Sequence, residues 1–249
     1  MIFYYTGTGN SKYVAETIAK SNEEEIISIP DCIRENKFTF DVKEDEIIGF
    51  VCPIYSLGIP DSVRIFLKKL RLNYNKKPYI FLVATYGSTV GNIKSIVSKY
   101  FKKIDGFFNV KMVDNWVPKF DLTDQNYIKQ AEEYGEKRLE EVNNLILLRK
   151  TGKYLENENK IFSGFIYKVG YDFIRNTSNF KLDDNCIGCG ICRNNCPTNT
   201  IKIENKRPVW KRKKCDMCFA CLHRCPQFAI HYGKRSIEHG QYLNPNVKL

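Results

Sequence analysis

The sequence lacks the features of a membrane or exported protein. Its most apolar window, residues 79–86, is too short to cross a bilayer, and no basic region precedes the apolar run at residues 1–5. Acidic residues are scarce, at 28 against 39 Lys and Arg, so the formal net charge is +11. With 249 residues, 43% of them hydrophobic, the composition is that of a globular protein with one large or two smaller domains. We therefore expect a cytoplasmic protein with no membrane span.

Two common nucleotide-binding fingerprints are also missing from the glycine-containing loop near the start. Residues 1–5 are suited to a buried strand and lead into the loop at 6–11 (TGTGNS) and then a helical pattern. The dinucleotide fingerprint would need glycine where Lys12 stands, and no window matches the P-loop. In a strand–loop–helix arrangement, backbone N–H groups and the helix dipole can still hold a phosphate. We predict phosphate binding at this loop; a capped strand-to-helix turn is the alternative.

Further apolar runs alternate with helical patterns. We predict strands at 25–29, 46–51, 78–84 and 107–113, and a long amphipathic helix at 125–148. This alternation predicts a doubly wound parallel sheet of the α/β class. In doubly wound sheets whose strands lie in the spatial order 2-1-3-4-5, ligands bind at the carboxyl ends of the strands, beside the switch point between strands 1 and 3.

Distinctive loops follow the first, third and fourth predicted strands, so all three reach the same edge of the sheet. They are 6–11, 52–60 (CPIYSLGIP) and 85–92 (TYGSTVGN), and none contains a carboxylate. The candidate cofactor-binding residues in these loops are Thr6, Gly7, Thr8, Gly9, Asn10, Ser11, Pro53, Tyr55, Ser56, Gly58, Thr85, Tyr86, Gly87, Gly91 and Asn92.

Eight of the ten cysteines fall in a doubled motif between residues 186 and 226. Each half is a C-x2-C-x2-C-x3-C-P run, the pattern that ligates [4Fe–4S] clusters, and the fourth cysteine of each run serves the other cluster. The predicted ligands are Cys186, Cys189, Cys192 and Cys225 for cluster 1, and Cys215, Cys218, Cys221 and Cys196 for cluster 2. Zinc sites usually stop at four ligands, and disulfide frameworks belong to small secreted chains. Of the remaining cysteines, Cys52 is predicted to be buried at a strand end, and Cys32 is uninformative.

The predicted domain organisation has four parts. A sheet domain spans 1–150, a connector with a short aromatic helix at 161–174 spans 151–180, the cysteine domain spans 181–234, and a tail follows at 235–249. The cysteine domain contains an internal repeat with an offset of 29 residues. We expect its two halves to bury Ile201, Ile203, Ile230 and Tyr232, and the three histidines to be structural or surface residues.

Taken together, these motifs resemble the fused flavodoxin–ferredoxin proteins of anaerobes, also called ferrodoxins. The resemblance rests on TGTGNS, CPIYSLGIP, ATYGSTVGN, VDNW and the doubled cysteine run. It implies a flavodoxin-like fold followed by an α+β two-cluster ferredoxin domain, with FMN and two [4Fe–4S] clusters as cofactors. It also implies that the loop at 6–11 holds the FMN phosphate and that the peptide at Gly58 contacts the flavin N5. Tyr55 and Tyr86 lie where they could stack on the flavin ring, with ordinary packing at the domain surface as the alternative for each.

The leading functional prediction is an electron relay between external redox partners, the clusters and FMN. A flavin-dependent reductase of a small acceptor is the alternative, although the three loops carry no acid–base constellation. The basic stretch 206–214 (KRPVWKRKK) favours electrostatic steering of an acidic ferredoxin or flavodoxin over nucleic-acid binding. Without carboxylates in the three loops, the flavin is expected to have a less negative potential than in acidic flavodoxins. Oligomeric state, electron donor and acceptor do not follow from the sequence.

Overall fold

The apolar runs of the sequence form the strands of a central parallel sheet. A computed structural model describes residues 1–159 and 163–249 of the chain. In chain order the strands are β1 (Ile2–Tyr4), β2 (Ile26–Ser28), β3 (Thr39–Asp41), β4 (Ile48–Pro53), β5 (Arg71–Asn73), β6 (Ile80–Tyr86), β7 (Gly106–Lys111), β8 (Gly152–Tyr154), β9 (Phe180–Leu182), β10 (Ile201–Glu204), β11 (Arg207–Trp210) and β12 (Ile230–Tyr232). The α-helices are α1 (Asn10–Ser21), α2 (Ile29–Arg34), α3 (Asp61–Lys69), α4 (Ile93–Val97), α5 (Gln125–Leu147), α6 (Ser163–Ile174), α7 (Ile191–Asn194) and α8 (Ala220–His223).

Six strands make up the central sheet in the order β2-β1-β4-β6-β7-β8, and every neighbouring pair is parallel. The five predicted strands are β1, β2, β4, β6 and β7, which therefore stand in the order 2-1-3-4-5. The α/β fold class with a doubly wound parallel sheet is confirmed. Because all of these strands are parallel, the loops that follow β1, β4, β6 and β7 meet at one edge of the sheet.

Helices cover both faces of this sheet. Successive strand residues point to opposite faces, so Ile2 packs against α1 and α5 while Phe3 packs against α3 on the other side. On the second face, the Phe3 ring stacks on Phe50 at 5.6 Å and lies 5.2 Å from the tilted ring of Phe66. Burying each such side chain stabilises the fold by about 1.5–3 kcal/mol.

Some local features differ from the expectations. Residues 152–154, within the predicted connector, add β8 to the sheet by pairing with β7. The strand predicted at 25–29 ends earlier, because α2 begins at Ile29. Pro30 lies in the first turn of α2, where its missing N–H costs nothing, and Ser28 caps that helix. The predicted helix at 161–174 corresponds to α6; its first two residues, with Lys160, lie outside the described residues.

The cysteine region is built from two short antiparallel pairs, β9–β12 and β10–β11. The helices α7 and α8 lie 29 residues apart, as the internal repeat predicts. Ile201, Ile230 and Tyr232 are buried as expected, whereas Ile203 is only partly buried. The same apolar cluster includes Val113 and Val117, which follow β7, so one core joins the cysteine region to the edge of the sheet.

In the part of the chain that the structure describes, no helix is long and apolar enough to span a membrane. The tail at 235–249 is not a free extension, because the side chains of Ser236, Tyr242 and Asn244 are buried. Its contacts reach the loop after β1 and are described below.

Candidate flavin and cluster sites

A cavity of about 390 Å³ opens at the carboxyl ends of β1, β4, β6 and β7. Its volume lies within the usual range of cofactor sites. Most of the predicted cofactor-binding residues line it, namely Thr6, Gly7, Thr8, Asn10, Ser11, Pro53, Tyr55, Ser56, Thr85, Tyr86 and Gly87. The three loops that the sequence singled out are thus brought together at one site.

Four predicted residues do not line the cavity, and each has another role. Gly9 adopts a left-handed φ of 105° at the start of α1, a conformation that favours glycine. The backbone of Gly58 pairs with that of Tyr55, through N–H···O contacts of 2.7 and 3.1 Å. The side chain of Asn92 caps α4 by accepting from the Ser95 N–H at 3.1 Å, and Gly91 accepts from the Ile93 N–H in the same turn.

The loop after β1 is organised as an anion cradle. Thr6 Oγ1 accepts from the Gly9 N–H at 3.0 Å, and the first i→i−4 bond at α1 runs from the Tyr13 N–H to the Gly9 carbonyl at 2.9 Å. The N–H groups that precede Tyr13 in the first turn have no intrahelical acceptor, so they are available to an anion together with the positive end of the helix dipole. The Ser11 and Thr85 hydroxyls share a hydrogen bond of 2.7 Å, which ties the loop to β6.

Aromatic side chains form the walls of the cavity. Tyr55 and Tyr86 line it, and Tyr5 lies edge-on to Tyr55 with ring centroids 6.4 Å apart. The hydroxyl of Tyr86 accepts from Asn157 Nδ2 at 3.0 Å, so the ring is held in place from outside the cavity. Trp116 adds a third aromatic wall. Flat walls beside an anion cradle suit a planar ring that carries a phosphate ester, so these residues fit a flavin nucleotide.

A fourth loop, after β7, also lines the cavity, although none of its residues was among the predicted cofactor-binding residues. Asp114 and Asn115 line the cavity beside Trp116. Asp114 accepts from the Ser88 hydroxyl at 2.9 Å and from the Trp116 N–H at 3.2 Å, and burial raises the pKa of its carboxyl above the ordinary value. A carboxylate is therefore present at the cavity, although the three predicted loops contain none. The sequence VDNW (113–116) lies at the end of a predicted strand of the same sheet. This position is the feature from which its place at the cavity could have been predicted.

The first cysteine set lines a small cavity of its own. Cys186, Cys189 and Cys192 from the first motif meet Cys225 from the second motif there. Burial raises the pKa of Cys192 to about 11, and the thiols of the other three cysteines contribute to that rise. The Ala229 N–H donates to Cys225 Sγ at 3.3 Å. One side is open to solvent, because Cys189 is exposed and Ile187 is 63% exposed.

The second cysteine set lies deeper in the molecule. Burial raises the pKa of Cys221, and the neighbouring thiols of Cys218, Cys215 and Cys196 raise it further. Backbone N–H groups donate to two of these sulfurs, from Met217 to Cys215 and from Thr200 to Cys196, each at 3.3 Å. The fourth cysteine of each motif therefore lies among the first three cysteines of the other motif. Among the described side chains, no three of His, Cys, Asp and Glu form a group that could hold a single metal ion.

The second cysteine loop is also part of the flavin cavity. Met217 and Phe219, which flank Cys218, line that cavity and adopt left-handed φ values of 58° and 53°. A Cβ atom on Gly7 would clash with the Cys218 carbonyl oxygen, so only glycine allows this approach of the two loops. Sequence patterns gave no signal for these contacts, because they depend on how the two halves of the chain pack.

The histidines serve structural contacts, as expected. His223 is buried; its Nε2 lies 3.2 Å from the Asn115 carbonyl, and its Nδ1 accepts from the Tyr242 N–H at 3.2 Å. His231 pairs with Asp183 at 2.9 Å, and His239 contacts the Val117 carbonyl.

The basic stretch 206–214 is partly neutralised. Lys211 pairs with Glu204, and Lys214 pairs with Asp172 at 3.0 Å. Arg207 pairs with Asp184 at 3.3 Å. Lys206 remains at the rim of the first cysteine set, where its backbone packs against Gly188 and its side chain is exposed.

Comparisons with known proteins identify a family for each half of the chain. A family model described as "Flavodoxin domain" matches residues 1–138, and one described as "4Fe-4S dicluster domain" matches residues 179–226. A segment of 45 residues is 40% identical to part of a protein from the ion-translocating oxidoreductase complex of Methanosarcina acetivorans. That match spans 18% of this chain and 17% of the relative, so the chain covers only about a sixth of that protein. A solved structure titled "flavone reductase" overlaps 61% of this chain and 65% of its own at 12% identity, with a TM-score of 0.29.

Proposed function

Because the chain belongs to the flavodoxin domain family and also carries a 4Fe-4S dicluster domain, we propose that it is an electron relay between external redox partners, two [4Fe–4S] clusters and FMN. When bound, such clusters pass single electrons and a flavin holds one or two. The chain's own contribution is to position these groups, to shield them from solvent and to tune their potentials.

One observation carries this proposal: residues 215–219 belong to both sites at once. Cys215 and Cys218 lie among the second cysteine set, while Met217 and Phe219 line the flavin cavity. Phe219 also packs edge-on against Trp116, another wall of the cavity, with centroids 5.1 Å apart. A single five-residue loop would therefore hold a cluster on one side and a flavin on the other.

The identity of the flavin as FMN is supported by the loop after β1. This cradle offers hydroxyls and backbone N–H groups around a helix start, which suits one phosphate monoester. Thr6 and Thr8 would bind the phosphate together with the first N–H groups of α1, while Tyr55, Tyr86 and Trp116 would enclose the ring. Asp114 would place a carboxylate beside it.

The cysteine sets support two crossed clusters. Cys186, Cys189, Cys192 and Cys225 would hold cluster 1 near the surface, and Cys215, Cys218, Cys221 and Cys196 would hold cluster 2 beside the flavin cavity. N–H···S contacts at Cys196, Cys215 and Cys225 would stabilise the reduced state of each centre. The expected path thus runs between the surface, cluster 1, cluster 2 and the flavin.

An acidic redox protein is the partner that this arrangement favours. The exposed Ile187 and Cys189 offer a small apolar contact over cluster 1, and the exposed cations Arg193 and Lys206 flank it. Opposite charges at such a rim accelerate association and make the rate depend on salt. Lys206→Glu should slow cluster reduction by an acidic ferredoxin several-fold at low salt. Lys20→Glu, at the far end of α1, should leave the rate unchanged.

Anaerobic purification followed by stopped-flow reduction tests the relay. The protein should contain about eight iron atoms and eight sulfides for each FMN. Reduction by a one-electron protein donor should bleach the cluster absorbance before the flavin absorbance. Cys221→Ala should uncouple flavin reduction from the donor, and Cys52→Ala, which lies outside both sets, should not. A protein that binds flavin but no iron, or whose flavin is reduced equally fast without the clusters, would refute the relay.

A reductase of a small acceptor is the second candidate. An open cleft of about 500 Å³ adjoins the flavin cavity and shares Gly87, Ser88, Met112 and Phe120 with it. The stacked rings of Phe120 and Tyr127, with centroids 6.2 Å apart, form part of its wall. Such a cleft leaves room for a planar molecule next to the flavin. Catalytic turnover of quinones or nitroaromatics by the reduced protein would favour this function over the relay.

A further inference from the structure

The segment 241–249 lies across the loop after β1. The Asn244 N–H donates to the Thr8 carbonyl at 2.9 Å, and Asn244 Nδ2 donates to Asn10 Oδ1 at 3.1 Å. The hydroxyl of Tyr242 lies 3.2 Å from the same Asn10 oxygen and 3.1 Å from Glu132 Oε1, so these two acceptors share its single proton. Tyr242 and Asn244 are only 4% and 3% exposed, so these bonds are protected from water. The side chains of Val247 and Leu249 also pack close to Gly9.

The same segment is fastened to α8, which carries Cys221 and precedes Cys225. Gln241 Nε2 donates to the Leu222 carbonyl at 2.6 Å and to the Cys225 carbonyl at 2.9 Å. The Tyr242 N–H donates to His223 Nδ1 at 3.2 Å. Segment 241–249 therefore connects the second cysteine motif to the phosphate loop.

Two contacts from the α8 region reach the loop without that segment. Arg224 Nε donates to the Gly7 carbonyl at 3.0 Å. His223 Nε2 contacts the Asn115 carbonyl, and Asn115 Nδ2 in turn donates to Thr8 Oγ1 at 2.5 Å. The carbonyls of Gly7 and Thr8 are thus both held by groups that come from beyond residue 220.

The side chain of Asn10 is held on both sides by hydrogen bonds. Its Oδ1 accepts from Asn244 and lies 3.2 Å from the Tyr242 hydroxyl, which Glu132 shares, and its Nδ2 donates to the Val113 carbonyl at 3.1 Å. The side chain of Asn10, a predicted cofactor-binding residue that lines the cavity, therefore also holds the loop in place. With its carbonyls and Asn10 fixed, the loop keeps one conformation, and the entropy of ordering it is not lost again when an anion binds.

We propose that segment 241–249 and α8 form a strap that holds the phosphate loop in its anion-binding conformation, so that affinity for a flavin's phosphate depends on the folded second cysteine motif. The proposal rests on the proposed function, since it takes the cavity to be the FMN site. Because binding free energies are reciprocal, a bound FMN also stabilises the second cluster motif by the same factor. Asn244, Tyr242 and Gln241 are positioning residues that do not line the cavity.

The strap is tested by comparing FMN with riboflavin, which lacks the phosphate. Asn244→Ala removes a bond to Asn10 Oδ1, and Tyr242→Phe removes the hydroxyl that Asn10 shares with Glu132; each should weaken FMN binding about 3- to 10-fold. The double variant leaves that oxygen unpaired and should weaken it further. Riboflavin affinity should change less than about twofold, because the ring walls are untouched. Asn246→Ala, an exposed residue of the same type in the same segment, is the matched control and should bind FMN normally.

Coupling to the cluster motif is tested in Cys221→Ala. This variant should also bind FMN more weakly while it retains riboflavin, and adding Asn244→Ala should then have a smaller effect than in the wild type. Equal losses for FMN and riboflavin would indicate general unfolding of the cavity and refute the strap. Unchanged FMN affinity in the double variant would refute it as well. A wild-type protein that binds neither flavin would instead refute the proposed function.

Discussion

The hydroxyl of Tyr5, the residue after β1, donates to Asp216 Oδ2 at 2.9 Å. Asp216 lies between the first two cysteines of the second motif. Both groups are fully buried, and 211 residues separate them. The Ser62 N–H donates to the same oxygen at 3.3 Å, and burial raises the pKa of Asp216. This bond ties the second cysteine loop to the strand that leads into the phosphate loop.

Removing that hydroxyl should destabilise the protein. In Tyr5→Phe the buried carboxyl of Asp216 keeps only the long bond from Ser62 and the Arg175 guanidinium 4.0 Å away. Leaving a buried polar group under-satisfied costs about 1–3 kcal/mol. We expect the midpoint of thermal unfolding of the anaerobic holoprotein to fall by about 2–10 °C. Tyr154→Phe removes an exposed hydroxyl that makes only a 3.4 Å contact, and its midpoint should barely change. Equal shifts in the two variants would contradict the role of the Tyr5–Asp216 bond.

Gly7→Ala should separate the phosphate loop from the second cysteine loop. The new Cβ would clash with the Cys218 carbonyl oxygen, a backbone atom that cannot move away cheaply. Overpacking of this kind costs about 1–3 kcal/mol, and the displaced loops should lose flavin. We expect lower flavin content after purification and a lower thermal midpoint.

Gly233→Ala is the control for Gly7→Ala. Its Cβ meets nothing within 4 Å, although its φ is +69°. It should therefore show only the backbone strain of about 1 kcal/mol, with normal flavin content. Full flavin content in Gly7→Ala would show that the loops tolerate separation.

Much of this arrangement could be predicted from local sequence, because the determinants are local. The spacing of Cys186, Cys189 and Cys192 encodes the reach of three thiolates around one centre, and the loop at 6–11 encodes a strand-to-helix turn. The fold class followed from alternating periodicity. The contacts of Met217 with the flavin cavity and of Asn244 with Asn10 could not be predicted, since they arise from packing between distant segments. No spacing rule links residue 10 to residue 244.

Asp114 adds a carboxylate to the proposed flavin site, which the three predicted loops lack. A negative charge beside the ring disfavours adding electrons, so Asp114→Asn should raise the flavin potential by about 40–90 mV, or roughly 1–2 kcal/mol per electron. Burial raises the pKa of this carboxyl above 3.8, so its charge appears only as the pH rises through that higher value. The difference between wild type and variant should therefore be smallest at acid pH and grow as the pH increases.

An anaerobic redox titration at several pH values measures this difference. Asp121→Asn removes a fully exposed carboxylate on the same connecting stretch and should leave the potential unchanged. A pH-independent difference, or a lower potential in Asp114→Asn, would show that Asp114 does not act through its charge.

The two cysteines outside the cluster motifs should be chemically inert in the folded protein. Burial raises the pKa of Cys52 to about 12 and that of Cys32 to about 11. At pH 8 the fraction of each cysteine in the reactive thiolate form is then only about one in ten thousand for Cys52 and about one in a thousand for Cys32. Native protein treated anaerobically with iodoacetamide should show neither residue alkylated in peptide mass spectra, while both react after denaturation. In cluster-free protein the exposed Cys189 should react first. Rapid labelling of Cys52 would mean that the end of β4 opens to solvent, and the packing of the sheet beneath the flavin cavity would then be looser than its buried core indicates.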